Sequence, residues 1–418
     1  MEKRRIALCG ASSRGLEAYA KPLTQDSDIM KQNELIGIFD TNLGRAKYVS
    51  EQCGHVAVYE TFSQMLHIGK PDMVIVATRD DVHVKYCIEA LEFGVDVFCE
   101  KPMATTAEQI VELRKAEKRT GRRIKQCFNM RYYPSIVLLK RLVEDGVVGE
   151  IYNVHFEFLL TGNATTQDGH GASYFHRWNR SMQKSGGLLV TKATHHFDCV
   201  NWLVGSKPVS VAAFGELNKY GKSGPYRSKR CRECLHADDC EYYCDINVPA
   251  LSGMYRDHEK YDAYYRDACV YDEEIDIFDT VSLIVQYDNG VMMSYSETAA
   301  AMYEGYKLSM NGSKGRIEAQ MFICGGLNDG EQPEFIRHID HNGHITKYEK
   351  PTVVAGSHDG ADSTMLKVLL LNKQPEIPSQ VADSTDGAWS VLIGVAGNTS
   401  IKEKRMVFID EMIGNEII

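Results

Sequence analysis

Proline and tryptophan are scarce in this chain, and long apolar runs are missing altogether. Its 418 residues include 11 prolines and 3 tryptophans, too few prolines for a polyproline or low-complexity protein. A bilayer-spanning helix needs roughly 20 consecutive apolar residues, and no stretch approaches that, so a membrane partner is not expected. Positive charge is in deficit: 47 lysines and arginines against 57 acids give a formal charge of −10. That balance offers no bulk attraction for nucleic acid or an anionic surface. The opening MEKRRIALCG has a basic flank, but Ser12, Ser13 and Arg14 interrupt its apolar stretch at once. It therefore predicts a first strand and not an export signal. A cytoplasmic protein of two or three domains is expected, with little place for a disulfide framework.

Against that plain background one strand ending stands out. Residues 95–103 read V-D-V-F-C-E-K-P-M, apolar until Glu100-Lys101-Pro102. A strand needs no acid and lysine side by side at its end. At the carboxyl end of a parallel strand both would face the crevice where open α/β sheets bind ligands.

The first half has the rhythm of such a sheet. Residues 5–9 form a short apolar strand, then Gly10-Ala11-Ser12-Ser13-Arg14-Gly15 precedes a helical stretch. The spacing is that of the dinucleotide fingerprint G-x-G-x-x-G, with Ser12 in the second glycine position. Gly10 suits the tight turn, Gly15 the close helix–strand packing, and the amides between them a pyrophosphate. A second strand, 34–39, ends at Asp40 after a longer loop expected over 24–33. An acid there accepts from a ribose diol and repels a 2′-phosphate, favouring NAD over NADP; Arg45 keeps NADP as the lesser reading. A third strand, 71–78, breaks into Arg79-Asp80-Asp81-Val82-His83. Helices over 84–93 and 106–120 alternate with strands over 95–99 and 124–128, predicting βαβ units in a doubly wound sheet.

From about residue 129 the pattern changes. Residues 131–134 open a helix, and 151–160 alternate as a strand. Residues 278–297 form two strands around an Asp288-Asn289-Gly290 turn, and 306–319 bracket another turn. These predict a mixed sheet covered on one face. Between them, Gly186-Gly187 leads into Thr191-Lys192-Ala193-Thr194-His195-His196-Phe197-Asp198. On one helix Thr191, His195 and Asp198 would share a face.

Together these motifs resemble the glucose–fructose oxidoreductase, inositol dehydrogenase and rhizopine-catabolism family, Gfo/Idh/MocA. The likeness runs through the Gly15 loop, Asp40, Thr78 with His83, Glu100-Lys101-Pro102, Arg131, the 186–198 block, Gly312-Ser313-Lys314-Gly315, residues 356–362 and Asp386-Gly387. It implies an amino-terminal Rossmann domain (1–128) and a carboxy-terminal α/β domain (129–375) with an open mixed, largely antiparallel sheet. A helix and tail (376–418) would pack back on the core, and the assembly would be a homodimer or homotetramer. The resemblance implies cofactor contacts at Gly10, Ser12, Ser13, Arg14, Gly15, Asp40, Arg45, Thr78, Arg79, His83, Glu100 and Lys101. It places substrate contacts at Lys101, Arg131, Thr191 and His195. Lys101 would steady an oxyanion on a sugar or cyclitol hydroxyl and His195 would act as acid or base. The family pattern has an aspartate four residues before the histidine, where this chain has Thr191, so Lys192 or His196 is expected to share the proton work. The activity implied is a sugar dehydrogenase. The alternatives are a glycosidase or lyase that oxidises its sugar transiently, and a regulatory protein that only binds NAD.

An insert over about 218–273 carries Cys231, Cys234, Cys240 and Cys244. Four close thiols suit a structural zinc, with iron–sulfur ligation, disulfides and free thiols left open, and His236 as a possible replacement ligand. Arg227, Lys229, Arg230 and Arg232 beside it read as a solvated basic strip. Tyr255, Tyr261, Tyr264 and Tyr265 suit either a sugar ring or the packing of the lobe.

Overall fold

A computed structural model describes residues 2–162, 170–324, 334–349 and 357–414; Gly356 of the 356–362 motif lies outside them. The first sheet is built from β1 (Arg4–Cys9), β2 (Asn33–Phe39), β3 (Met73–Val76), β4 (Asp96–Glu100) and β5 (Ile124–Cys127). They pair in parallel in the order β2-β1-β3-β4-β5. Strands covered on both faces must be apolar throughout, and Val74, Ile75, Val76, Val97 and Cys99 are fully enclosed. Where a loop was expected before β2, the chain forms helices Lys21–Gln25 and Ser27–Gln32. Asp26 caps the second by accepting the Asp28 and Ile29 amides, a turn too short for apolar periodicity to reveal.

The second sheet holds β6 (Ile151–Thr161), β7 (Pro208–Glu216), β8 (Thr280–Tyr287), β9 (Met292–Ala301), β10 (Glu304–Gly312), β11 (Gly315–Cys324), β12 (Phe335–Ile339), β13 (Ile345–Tyr348) and β14 (Val407–Phe408). Its order is β13-β12-β11-β10-β6-β9-β8-β7-β14. β6 and β9 run parallel; the other described neighbours are antiparallel. The helix Ser384–Glu403 covers one face, while Phe214, Ile284 and Met292 stay exposed. No helix of the described residues is long and apolar enough to cross a membrane.

Two expectations fail at the junction of the domains. Thr191 and His195 do not share a helix: one helix ends at Thr191 and the next, Thr194–Val204, starts after a turn at Lys192-Ala193. Arg131 is not a cleft residue either. It is 1% exposed, forks onto Asp198 at 2.8 and 2.7 Å, and meets Asp386 at 3.0 Å and the Ser379 carbonyl. The guanidinium thus ties three segments of the second domain together, and it does not line the cleft.

The insert connects β7 to β8 and folds back over the first domain. Ile246, Met254 and Tyr255 are buried in the same cluster as Ile38, Ala46 and Val49. Gly44 allows the close approach there, since a Cβ would meet the His258 ring at 2.4 Å and the Tyr261 ring at 2.5 Å. Arg230, read as part of a solvated strip, is buried between Asp267 at 2.7 Å and Glu259 at 2.5 Å, under the Tyr265 ring.

Breaking a buried ion pair from one side leaves an uncompensated charge. Asp198→Ala should therefore lower unfolding stability by about 3 kcal/mol or more, measured by urea denaturation. A residue that served only to bind substrate would show no such loss.

Candidate active site

The carboxyl ends of the first-sheet strands open onto a cleft of about 1260 Å³ between the two domains and the insert. A single small ligand needs roughly 300–1,000 Å³, so there is room for a dinucleotide together with a substrate. Ser12, Ser13, Arg14, Asp40, Arg45, Thr78, Arg79, His83, Glu100, Lys101, Thr191, Lys192 and His195 all line it.

At the dinucleotide loop the backbone comes close to β3. Gly10 has φ +113°, and a Cβ there would lie 2.3 Å from the Ala77 carbonyl oxygen. Ser12 does not obstruct the loop, because its hydroxyl is turned back to accept the Gly15 amide at 3.2 Å. Arg14 is drawn across the floor of the cleft. It donates to Glu100 and forks onto Asp362 at 2.8 and 2.9 Å. Glu100 also accepts from Tyr19 at 2.6 Å. Burial pushes its carboxyl up, but Arg14 and Lys101 outweigh burial and hold it below the usual range. Glu100 is thus a support for Arg14 and not a free acid. Asp40 accepts from the Ala11 and Asn42 amides, both at 2.7 Å. Its neighbour Arg45 bridges Asp40 at 3.3 Å and Asp262 of the insert at 2.7 Å.

Lys101 crosses to the second domain, its Nζ donating to the Thr191 carbonyl at 2.8 Å. Thr191 Oγ1 accepts from Asn179 at 3.1 Å. His195 stands beside them, edge-on to Phe128, with a buried Nδ1 that has no partner. Burial, then the charges of Lys101 and Lys192, holds its pKa well below the ordinary value, so the ring is neutral at physiological pH. Lys192 lies 4.7 Å from the centroid of the Phe158 ring and 3.7 Å from Glu304. Burial favours its neutral amine, but Tyr174, Glu304 and Glu297 outweigh that and keep it charged. His196, expected to share proton work, points away from the cleft. It is 1% exposed, stacks on Phe158 at 4.0 Å, and bonds the Tyr295 hydroxyl at 2.7 Å. Its neighbour on the helix has the opposite orientation, which doublet sequences conceal.

One polar group escaped the sequence reading. Asp80 lines the cleft at 6% exposure, and its Oδ2 is buried with no partner. Burial drives its pKa up to about 6 against the opposing charges of His83 and Lys101. His83 places both ring nitrogens on carbonyl oxygens, Pro102 at 2.8 Å and Thr78 at 3.1 Å. Two acceptors require two N–H groups, hence an imidazolium. Burial opposes that charge, but Cys99, Asp80 and the Pro102 carbonyl raise the pKa to about 9. Tyr255, read as a sugar-stacking or packing ring, meets the dinucleotide loop instead: its hydroxyl lies 3.1 Å from Ser13 N and 2.8 Å from Ser13 Oγ. The run of acids after β3 resembled an ordinary polar turn, and only the burial of Asp80 distinguishes it.

The four cysteines do not gather. Among the described residues no group of three or more His, Cys, Asp or Glu side chains is placed to hold a metal. Cys231 is buried facing the Tyr242 carbonyl, whereas Cys234 accepts from the His236 amide. His236 itself stacks on Tyr226 at 4.4 Å. The lobe has another source of order: Phe175, Tyr220, Tyr242 and Tyr271 form a chain of ring contacts, beside the Arg230 ion network. The expectation of zinc rested on the close spacing of the four thiols in sequence, which the fold does not turn into a shared shell.

Residues 4–127 match the oxidoreductase family with an NAD-binding Rossmann fold, and residues 140–409 match its C-terminal α/β domain. The chain belongs to the Gfo/Idh/MocA oxidoreductase family. YteT of Bacillus subtilis (strain 168) is 35% identical over 98% of both chains. The D-glucoside 3-dehydrogenase of Escherichia coli (strain K12) is 29% identical over 52% of this chain and 58% of its own. Among solved structures, an oxidoreductase from Agrobacterium radiobacter in complex with NAD+, L-tartaric acid and magnesium superposes with a TM-score of 0.68. It has 16% identity and covers 98% of this chain and all (100%) of the other. This is an enzyme of a dehydrogenase family, with two domains as that family has them. The residues present fit a dinucleotide: a glycine turn no side chain could enter, a serine folded out of the way, and an acid at the end of β2.

Because folding raises the pKa of Asp80, its ionisation costs stability. The cost is absent below the usual carboxylate pKa near ~4, grows as pH rises, and is complete above about 6. Asp80→Asn should therefore raise the melting temperature by roughly a few degrees at pH 8, and this gain should vanish by pH 4. Differential scanning fluorimetry across that range measures it.

Proposed function

We propose that this enzyme oxidises or reduces a hydroxyl of a sugar, cyclitol or glycoside, with NAD(H) as its redox partner. The observation that carries the reading is the reach of Lys101 across the cleft to Thr191, beside a neutral His195. Gly10, Gly15 and the loop between them would hold the diphosphate, and Asp40 the adenosine ribose. The bound cofactor supplies a two-electron acceptor for the carbinol carbon. Lys101 donates a hydrogen bond to the substrate oxygen and stabilises it as charge develops. His195, neutral and surrounded by cations, accepts the hydroxyl proton. Lys192 stays charged and keeps the pocket positive. NAD is favoured over NADP because Arg45 is already committed to Asp40 and Asp262, and so is not free to pair with a 2′-phosphate.

A second reading, redox-neutral cleavage of a glycoside through transient oxidation, is supported by the insert. Tyr255 engages Ser13, His258 O accepts from Asn42 at 3.0 Å, and Asp262 pairs with Arg45. A cofactor lying beneath those contacts leaves only if the insert moves, which favours a hydride returned in place.

NAD+ should bind at least ~10-fold more tightly than NADP+, consistent with a repelled 2′-phosphate, in a fluorescence titration with both. Lys101→Ala should lower turnover by ~10²-fold or more with NAD+ still bound; turnover near wild type rejects its role. A panel of polyols, aldoses and aryl glycosides separates the two reactions. NADH accumulation supports the dehydrogenase, and aglycone release at constant NADH supports the redox-neutral reaction.

A further inference from the structure

The arginines lining the cleft are Arg14, Arg45, Arg79, Arg177, Arg180 and Arg227. Arg14 is neutralised by Glu100 and Asp362, Arg45 by Asp40 and Asp262, Arg79 by Asp81, Arg180 by Asp272, and Arg227 by Glu273. Arg177 has no such partner among the described residues. Its Nε donates to the Ser173 carbonyl at 3.0 Å, and its guanidinium lies 4.8 Å from the centroid of the Tyr174 ring. The two terminal nitrogens carry no hydrogen bond to the described residues. Arg266 of the insert stands close by, and burial together with that second positive charge depresses the Arg177 pKa. Arg266 has no carboxylate partner among the described residues either. An uncompensated guanidinium on a cleft wall, under the repulsion of a second one, is relieved by an oxyanion beside it.

The position of Arg177 indicates what that oxyanion belongs to. Tyr174, the ring beneath it, also stands beside Lys192. Arg177 thus shares the second-domain wall of the cleft with Lys192 and His195. Trp178 follows it along the same wall, an aromatic face suited to a pyranose.

We propose that Arg177, supported by Arg266, binds the carboxylate of an acidic sugar, making the substrate a uronate or uronide and not a neutral polyol. This rests on the carbohydrate reading above and narrows it. A planar guanidinium with both terminal nitrogens free matches a carboxylate in two-point contact, while a hydroxymethyl group in the same place would leave the charge uncompensated.

Calorimetry on the full chain saturated with NAD+ tests this, using D-glucuronate against D-glucose and D-galacturonate against D-galactose. At least one uronate should bind ~10-fold or more tighter than its neutral partner, the scale of a charge-assisted hydrogen bond. Arg177→Gln should erase that preference, Arg177→Lys should restore part of it, and NAD+ affinity should be unchanged in both. No uronate preference in the wild type overturns the assignment. So does a parallel loss of NAD+ affinity in Arg177→Gln, which would give the guanidinium to the cofactor diphosphate instead. Following NADH in the same samples keeps the two readings apart. Uronate binding without hydride transfer refutes the oxidation and leaves the anion site standing, whereas turnover of neutral sugars with no uronate preference does the reverse.

Discussion

Arg14 leaves the dinucleotide loop and is gripped by carboxylates from two distant parts of the chain, Glu100 at the end of β4 and Asp362 at the start of the helix Ala361–Leu371. Asn129 and His358 add their own hydrogen bonds to Asp362. Without this clamp the loop, the motif lysine and the second domain would have no common reference point. Lys101 is placed by it indirectly: its amide donates to Glu100 at 3.0 Å, and its ammonium is then free to span the cleft. A half-exposed arginine held at both ends in this way fixes geometry more than it adds stability, because the cost of desolvating three charges offsets much of their attraction.

The electrostatics of the cleft follow from which charges are compensated and which are not. Burial, with the charges of Lys101 and Lys192 beside it, keeps His195 neutral. Asp80 supplies the opposite sign within reach of Lys101 and the imidazolium of His83. Deeper in the sheet, burial raises Glu297 to about 8, with the Tyr295 hydroxyl as its donor. These groups are spread over β3, β4, β9 and two helices, so the balance of charge is a property of the closed interface and not of any one segment.

How much of this was legible in the sequence depends on the range of the interaction. β4 and its Glu100-Lys101-Pro102 ending could be read, because an acid and a base closing an apolar run break a local rule that has no packing explanation. The parallel sheet was equally plain from its continuous apolar strands. The roles of Arg131 and His196 were not legible: each sits next to chemistry in sequence, and burial is decided by partners more than fifty positions away, Asp198 for one and Tyr295 for the other. The break between Thr191 and Thr194 was hidden because both sides are helical. Arg177 was overlooked for the converse reason, since a missing counter-ion shows only when all the neighbours are in place.

The insert occupies the connection between β7 and β8, which are antiparallel neighbours. Such a pair needs only a two-residue turn, yet here a whole lobe stands in its place. Closing a longer loop costs only logarithmically more entropy, so the register of the sheet is indifferent to what is hung between those strands. Tyr255, Asp262 and Tyr264 all line the cleft from this appendage, while Lys101, Thr191 and His195 come from the framework. The lobe and the framework are therefore separable modules, and a lineage can exchange the lobe without disturbing the framework that holds Lys101, Thr191 and His195.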